Sequence, residues 1–192
     1  MNRQKITGVI LAGGKNSRMG AAKGLLMVDG KKIIERIIDA MKPVVDEIMI
    51  ISNENNYDYL GYKVHADLIK DCGPMGGIHT ALSFSASEKN LIVACDMPFL
   101  TSSILKQIID ISSGYEITIS EFSGEVQPLC AVYSSVCRNK FKELITIEAW
   151  KMKKALKHFK TKTISFSENH FQNINTPEEY RTIKKTNHEY SN

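Results

Sequence analysis

The sequence has few cysteines and contains no paired cysteine motif. The four that are present, Cys72, Cys95, Cys130 and Cys137, form no C-x-x-C pair. We therefore expect neither a zinc site nor a disulfide framework. No apolar run approaches the length of a membrane span, and no apolar stretch followed by a cleavage site opens the sequence. These absences argue against a membrane protein and a disulfide scaffold, and we expect a cytoplasmic protein.

The sequence also has little excess of either charge, since the formal net charge is +4 over 192 residues. No dense arginine patch alternates with aromatic residues, so we expect neither nucleic acid nor a membrane as a partner. The lysine-rich stretch 151–162 is most simply a solvated helix face, and steering of an acidic substrate is the alternative. The length suits one domain, residues 1–192, with halves at about 1–100 and 101–185 and a frayed tail at about 186–192.

The most informative stretch is the first loop. The apolar run Ile6 to Leu11 predicts a buried strand, and Gly13 and Gly14 follow it at a tight turn. Glycines permit special backbone conformations and let a ligand approach the main chain. Arg18 and Lys23 add positive charge, and exposed amides together with cations suit a polyphosphate. The alternative is an ordinary strand-to-helix turn, because the loop matches neither G-x-x-x-x-G-K-[ST] nor G-x-G-x-x-G.

The next segments predict a strand–helix–strand unit. We expect a short strand at Leu25 to Val28, an amphipathic helix at Lys31 to Lys42 and a buried strand at Glu47 to Ser52. Such units form parallel sheets that are covered by helices. Because parallel sheets bind ligands at the carboxyl ends of their strands, the glycine loop and Asn53 should share that edge.

Two strand-end aspartates extend this edge. A short strand, Lys63 to Ala66, ends at Asp67, and a glycine-rich loop then leads into a helix predicted for 76–87. The apolar run after Asn90 ends at Asp96, before Met97 and Pro98 turn the chain away. A carboxylate beside a buried strand needs a neutralising partner, and Mg²⁺ prefers one or two carboxylates together with phosphates. A cap of the helix that begins near Thr101 is the alternative role for Asp96.

The second half predicts further alternating elements: a helix at 101–111, strands at 116–122, 127–133 and 161–167, and helical structure over 135–159. Pro128 predicts a strand start or an edge strand. Thr176, Pro177 and Glu179 form a capping box before a last helix. Asn173 and Asn175 precede the box and should face the same way, as ligand contacts or as backbone caps.

These motifs, in this order, resemble the nucleotidyltransferases that activate sugars and cofactors. Residues 11–23 resemble L-A-x-G-x-[SG]-x-R-M-G-x-x-K, and the Leu-Ala-Gly-Gly form is similar to the molybdenum cofactor guanylyltransferases. The segments around Asp67, Asp96, Gln127 and 173–180 resemble later motifs of the same family. One departure is Ala21–Ala22 before Lys23, where relatives commonly place an aspartate. The resemblance implies an α/β fold: a three-layer, Rossmann-like, mostly parallel sheet of the nucleotide-diphospho-sugar transferase type, with helices on both faces.

The resemblance also implies an activity, transfer of GMP from GTP to molybdopterin or its molybdenum-bearing form, with Mg²⁺ as cofactor. Other cofactor-biosynthesis proteins and apo-molybdoenzymes are implied as further partners. Arg18, Lys23 and Asp96 would be catalytic, with Asp96 also holding the metal. The implied nucleotide contacts are Leu11, Ala12, Gly13, Gly14, Lys23, Ser52, Asn53, Asp67 (with Asp71 as second choice) and Asp96, and the implied acceptor contacts are Gln127, Asn173 and Asn175.

Two other functions remain open on the sequence. A sister enzyme could use CTP or a sugar-phosphate acceptor, because the preference for guanine depends largely on Gly13, where relatives using CTP tend to have alanine. A non-catalytic nucleotide-binding domain is the second alternative. Retention of Arg18, Lys23, Asp67 and Asp96 argues against it, since a sensor does not need the metal carboxylate.

Overall fold

A computed structural model describes residues 4–13, 22–149, 151–167 and 170–189, with side chains in the last helix as far as residue 183. The strands are β1 (Ile6–Leu11), β2 (Met27–Val28), β3 (Lys31–Lys32), β4 (Glu47–Ile51), β5 (Lys63–His65), β6 (Lys89–Ala94), β7 (Ile117–Phe122), β8 (Glu125–Ser134) and β9 (Thr161–Phe166). The helices are α1 (Ile33–Met41), α2 (Pro74–Phe84), α3 (Ser102–Asp110), α4 (Cys137–Thr146), α5 (Met152–Ala155) and α6 (Pro177–Glu189). Short 3₁₀ turns occupy Lys23–Leu25, Asp58–Leu60 and Leu156–His158.

Seven strands form one sheet in the order β5-β4-β1-β6-β8-β7-β9. Strands β5, β4, β1 and β6 are parallel, and β7 is parallel to β9. Only β8 runs antiparallel among these seven, and it pairs with both β6 and β7. The carboxyl ends of β1, β4, β5 and β6 therefore share one edge of the sheet, as predicted from the apolar runs.

Helices cover both faces of the sheet and give the expected three layers. On one face, α1, α3 and α6 pack against alternate strand residues that include Ile10, Ile50 and Val93. On the other face, α2, α4 and α5 pack against the intervening residues. The alternation follows from the two-residue period of a strand, and the apolar runs arise because both faces are buried. No helix in the described ranges combines the length and apolar character needed to cross a membrane.

The prediction that Pro128 starts a strand or lies on an edge strand is wrong for strand β8 as a whole. Strand β8 lies inside the sheet, and Pro128 is its fourth residue. Two local features accommodate the missing N–H. Pairing with β6 ends at Cys130, and a register shift lets Gln127 pair with Ser120 while Ala131 pairs with Ile119 of β7. A proline is tolerated where a bulge leaves its position outside the hydrogen-bonded ladder.

Several predicted boundaries shift. The strand predicted for 25–28 is shorter than expected and consists of β2, Met27–Val28, because the 3₁₀ turn Lys23–Leu25 precedes it. Strand β2 pairs with β3 across Asp29 and Gly30, whose φ angles of 49° and 73° are those of a hairpin turn. Helix α2 begins at Pro74 rather than at 76, with the proline in its first turn. The helical stretch predicted for 135–159 is divided between α4, α5 and a 3₁₀ turn.

Candidate active site

Loops from several strands meet where the parallel strands end. Backbone hydrogen bonds continue beyond the strands, from Ala12 N to Ile51 O at 2.9 Å and from Cys95 N to Leu11 O at 3.0 Å. These bonds hold the chain entering the glycine loop between the ends of β4 and β6. The residues that follow each strand therefore lie close together at this edge.

Asp96 lies at the end of β6 with 19% of its side chain exposed, and its Oδ2 is 3.3 Å from Lys23 Nζ. Its second oxygen, Oδ1, is buried and has no hydrogen-bond partner among the residues described. Burial raises the pKa of Asp96, and the charge and hydrogen bond of Lys23 act in the opposite direction. A buried carboxylate with one unpaired oxygen suits a cation that brings its own charge.

Lys23 also reaches a third segment of the chain. Its Nζ donates to Asn175 Oδ1 at 2.7 Å, and Ile174 N donates to Asp96 O at 3.0 Å. We call Lys23, Asp96 and Asn175 the charged cluster. It joins the 3₁₀ turn after the glycine loop, the end of β6 and the segment before α6. The sequence resemblance assigned Lys23 and Asn175 to different substrates, and the structure brings their side chains into contact.

The capping box of α6 holds Asn175 in place and is confirmed. Glu179 Oε2 accepts from the backbone N–H groups of Asn175 and Thr176 at 2.6 and 3.1 Å, and Glu179 N donates to Thr176 Oγ1 at 3.2 Å. The Tyr180 hydroxyl bonds both the N–H and the carbonyl of Met27, at 3.1 and 2.9 Å. Helix α6 therefore fastens the segment carrying Asn175 to the β2 segment after Lys23.

Asn53 and Asp67 form the second group at this edge, which we call the base-side pair. Asn53 Nδ2 donates to Asp67 Oδ2 at 2.8 Å, and Asp67 N donates to Asn53 Oδ1 at 3.0 Å. The remaining oxygen, Asp67 Oδ1, is buried without a partner in the described part of the chain. It lies beside the first turn of α2, since a Cβ added at Gly77 would be 3.8 Å away. One acceptor of the pair thus has no partner among the described residues.

At Ser52, Ala12 and Gly13, which were also predicted to contact the nucleotide, local hydrogen bonds and space limit which groups could bind a ligand. The buried Ser52 hydroxyl bonds the backbone of Glu54 at 3.1 Å, which shapes the turn carrying Asn53. The Ala12 N–H is already donated to Ile51 O. Gly13 does not use a left-handed backbone, and among the described residues a Cβ added there would meet only Ser52 Cα, at 4.0 Å. Open space on the described side of Gly13, rather than its conformational freedom, is therefore the feature that agrees with the ligand contact predicted there.

The remaining predicted residues are placed less completely. Gly14 and Arg18 lie outside the described residues. Gln127 lies in β8, where its Nε2 bonds Glu125 O at 3.2 Å, and no described contact joins it to the charged cluster. Asn173 is half-buried, and its Oδ1 lacks a described partner. Asp71 has a φ of 60°, which fits a turn residue. Direct ligand contacts at all of these positions stay predictions.

Two tyrosines near the site were missed by the sequence reasoning. Tyr180 lies within the capping-box motif, yet its bonds to Met27 join residues 153 positions apart. Tyr57 is fully buried, although its neighbours Asn55, Asn56 and Asp58 indicate an exposed loop. A single tyrosine in a polar segment gives no periodic signal of burial, so neither contact could be found from local pattern alone.

A mostly parallel three-layer sheet with polar side chains at its strand ends is typical of α/β enzymes that bind their ligands at that edge, and comparison with known proteins gives the class, that of the nucleotidyltransferases. Residues 8–162 match the MobA-like NTP transferase domain, and the chain belongs to that family. A Flavobacterium johnsoniae protein named "Probable molybdenum cofactor guanylyltransferase" is 36% identical over 185 residues, covering 94% of this chain and 97% of the relative.

A second relative with the same name, from Clostridium perfringens, is 36% identical over 192 residues, with 94% of this chain and 97% of the relative covered. Among solved structures, the chain is similar to "Molybdopterin-guanine dinucleotide biosynthesis protein A" from Archaeoglobus fulgidus. The TM-score is 0.78 at 23% identity, covering 95% of this chain and 99% of that one. The fold and family expected from the sequence are both confirmed.

Proposed function

We propose that this protein transfers GMP from GTP to the terminal phosphate of molybdopterin, or of its molybdenum-bearing form, in the cytoplasm. The names of the relatives support this reaction. The observation that carries it is the charged cluster, in which Lys23 Nζ lies 3.3 Å from Asp96 and 2.7 Å from Asn175. A cation, a metal-compatible carboxylate and an amide from the acceptor-side segment meet at one point.

The chemistry needs positioning and charge stabilisation rather than a strong base. An oxygen of the acceptor phosphate attacks the α-phosphorus of GTP. The bond from that phosphorus to the oxygen bridging the α- and β-phosphates breaks, and pyrophosphate leaves with the bond electrons. The acceptor is already an oxyanion, so no proton has to be removed from it. Lys23, together with Arg18 from the glycine loop, would neutralise phosphate charge as it shifts toward the leaving group.

Asp96 fits a magnesium site through its buried, unpaired Oδ1. The described residues contain no cluster of three or more His, Cys, Asp or Glu side chains that could hold a metal. Mg²⁺ is commonly bound by one or two carboxylates together with substrate phosphates. Asp96 would thus hold the metal jointly with GTP, and bound Mg²⁺ would supply neutralisation of the phosphate oxygens.

The base-side pair suits guanine. Guanine presents two adjacent donors, N1–H and the 2-amino group, to a carboxylate, and one acceptor, O6. Asp67 keeps a buried acceptor oxygen unpaired, and the amide of Asn53 supplies both donor and acceptor atoms. Cytosine presents a single amino donor flanked by an acceptor, which leaves a carboxylate less fully paired. Asn173, Asn175 and Gln127 are proposed for the acceptor side.

A transfer assay tests this proposal directly. Purified protein is mixed with molybdopterin, Mg²⁺ and either GTP or CTP, and chromatography follows the dinucleotide product and pyrophosphate. We expect product from GTP, equimolar pyrophosphate, and little product from CTP. Product from CTP alone would overturn the guanylyl assignment, and absence of product with both nucleotides would overturn molybdopterin as the acceptor.

A further inference from the structure

Tyr57 lies directly beneath the turn that carries Lys23. It follows Asn53 by four residues, in the loop between β4 and β5, and none of its surface is exposed. Its ring belongs to the core cluster that also contains Ala12 and Ala22, the residues at either side of the glycine loop. Tyr57 therefore connects the loop that carries Asn53 to the 3₁₀ turn that carries Lys23.

The contact between Tyr57 and that turn is made at Gly24. A Cβ added at Gly24 would lie 3.0 Å from the Tyr57 hydroxyl oxygen, 3.3 Å from Tyr57 Cε1 and 3.4 Å from Ile34 Cβ. Gly24 is buried between these two side chains and directly follows Lys23. Since the glycine has no room to move toward either neighbour, its position fixes where the Lys23 side chain begins.

The Tyr57 hydroxyl is not explained by stability. It makes no hydrogen bond of ordinary geometry in the described chain, because the Gly24 backbone N–H, which does influence its pKa, is poorly placed as a donor. A phenylalanine would avoid burying such a weakly bonded hydroxyl. Burial raises the pKa of Tyr57, so the hydroxyl stays protonated, and the Gly24 backbone amide opposes that effect. Burial likewise raises the pKa of the Cys95 thiol to about 12, again with the Gly24 amide opposing. The distances at Gly24 place the Tyr57 hydroxyl directly against this backbone.

We propose that Tyr57 is a positioning residue for Lys23, acting through Gly24. By packing against Gly24, the ring and hydroxyl fix the position of the 3₁₀ turn. They thereby fix how far Lys23 extends toward Asp96 and the nucleotide phosphates. The same side chain links that turn to the loop of Asn53. This inference rests on the proposed phosphate-binding role of Lys23.

The test is a cycle of three variants: Gly24→Ala, Tyr57→Phe and the double variant. Gly24→Ala pushes the turn away from Tyr57, and we expect kcat/KM for GTP to fall at least tenfold, because small displacements of catalytic groups are costly. Tyr57→Phe should lower it about three- to fivefold, with the melting temperature unchanged or raised. The double variant should recover toward the Tyr57→Phe level, because removing the hydroxyl oxygen eliminates the 3.0 Å contact.

Gly8→Ala is the matched control. A Cβ there would meet Val45 Cγ2 at 3.1 Å and Met41 Sδ at 3.2 Å, an equally tight fit within β1 and away from the charged cluster. We expect a lower melting temperature with kcat/KM unchanged. Wild-type kcat/KM in Gly24→Ala, or no recovery in the double variant, would overturn the inference. If Gly24→Ala does not fold, Tyr57→Leu, which opens space beside Gly24, should lower kcat/KM in a cooperatively folded protein, and wild-type kcat/KM would overturn the inference.

GTP affinity, measured by titration calorimetry, separates this inference from the proposed function. Lys23→Ala and Gly24→Ala should weaken GTP binding by similar factors, and Tyr57→Phe should restore affinity in the double variant. That pattern without nucleotidyl transfer by the wild type would overturn the proposed function and support the positioning role. Transfer by the wild type, with Gly24→Ala equal to it in affinity and turnover, would overturn the positioning role alone.

Discussion

The base-side pair and the charged cluster lie at the same sheet edge but are built differently. Asn53 and Asp67 come from the ends of adjacent strands, 14 residues apart, and bond each other twice. The charged cluster joins Lys23 to Asp96 and Asn175, which are 73 and 152 residues away, through a single lysine amine. The base-side pair is held together by residues that are close in sequence, whereas the charged cluster forms only when distant parts of the chain have packed together.

This difference matters for ligand binding. Two hydrogen bonds hold the base-side pair, so we expect the binding of a nucleobase there to need little reorganisation of these side chains. Lys23 has a flexible stem and can exchange one set of oxygen partners for another. We therefore expect the pair to govern nucleotide affinity and choice, and the charged cluster to govern turnover and metal binding.

The largest expected effect is at Asp96. Asp96→Asn removes the metal-compatible charge, and kcat should fall about 10²- to 10³-fold while GTP affinity changes less. Steady-state kinetics and calorimetry measure the two effects. Asp110→Asn, which removes an exposed carboxylate that pairs with Lys106 on α3, is the control and should leave both unchanged. Turnover near the wild-type rate in Asp96→Asn would contradict the assignment.

The same substitution has a consequence for stability. Because the folded-state pKa of Asp96 is raised by burial, the folded protein binds this proton more tightly than the unfolded chain does. This contribution therefore decreases the free energy of unfolding as pH rises from about 4 through the raised pKa. In Asp96→Asn the decrease should be smaller and the melting temperature at neutral pH equal or higher. Thermal unfolding across this pH range checks the sign, and a steeper decrease in the variant would contradict it.

An intermediate effect is expected in the base-side pair. Asp67→Asn removes the carboxylate that we propose accepts from guanine, so the Kd for GTP should rise about 10- to 100-fold and the preference over CTP should shrink. At saturating GTP, kcat should stay within about threefold of the wild type. Asp58→Asn, an exposed position on the loop between β4 and β5 that also carries Asn53, is the control. Loss of kcat with unchanged GTP affinity would reverse the proposed division between the two regions.

A smaller effect concerns metal binding without nucleotide. Lys23 lies against Asp96 and repels a second cation, so Lys23→Met should raise the affinity of the nucleotide-free protein for Mn²⁺ about tenfold. Electron paramagnetic resonance of free Mn²⁺ measures this affinity. Lys106→Met, which breaks the exposed pair with Asp110, should have no effect. Unchanged or weaker Mn²⁺ binding in Lys23→Met would show that Lys23 does not compete with the metal ion for the carboxylate of Asp96.

The smallest effect on stability is expected at Gly13. In the part of the chain that the structure describes, the new Cβ in Gly13→Ala meets only Ser52 Cα, at 4.0 Å, so the free energy of unfolding should change by no more than about 0.5 kcal/mol. The preference for GTP over CTP should nevertheless move, as competition binding would show. Gly76→Ala is the contrasting variant, because its Cβ would lie 2.7 Å from the Ile69 carbonyl oxygen and should destabilise α2. Equal losses of stability in the two variants would contradict the open space assigned to Gly13.

Local patterns predicted those parts of the molecule that local physics determines. The apolar runs located β1, β4 and β6, and the polar residues after them, Asn53 and Asp96, lie at the edge formed by the carboxyl ends of these strands, as expected. The capping box was also readable, because Thr176 and Glu179 interact within one helical turn. In each case the interacting groups are neighbours along the chain or share one strand.

Contacts set by the completed fold were not predictable in the same way. The interior position of Pro128 depends on where β6 stops and where the β7 bulge falls, and neither is encoded near the proline. The bond from Lys23 to Asn175 depends on α6 returning across the sheet edge. The burial of Tyr57 depends on the gap left by Gly24, a residue that gives no signal of its own in a glycine-rich segment.

The most direct test of the account is a crystal structure with Mg²⁺ and a non-hydrolysable GTP analogue. We expect the triphosphate beside Lys23 Nζ, the metal about 2.1 Å from a carboxylate oxygen of Asp96, and the guanine against Asn53 and Asp67. A triphosphate and metal bound away from both Lys23 and Asp96 would contradict the central claim that the charged cluster is the catalytic centre.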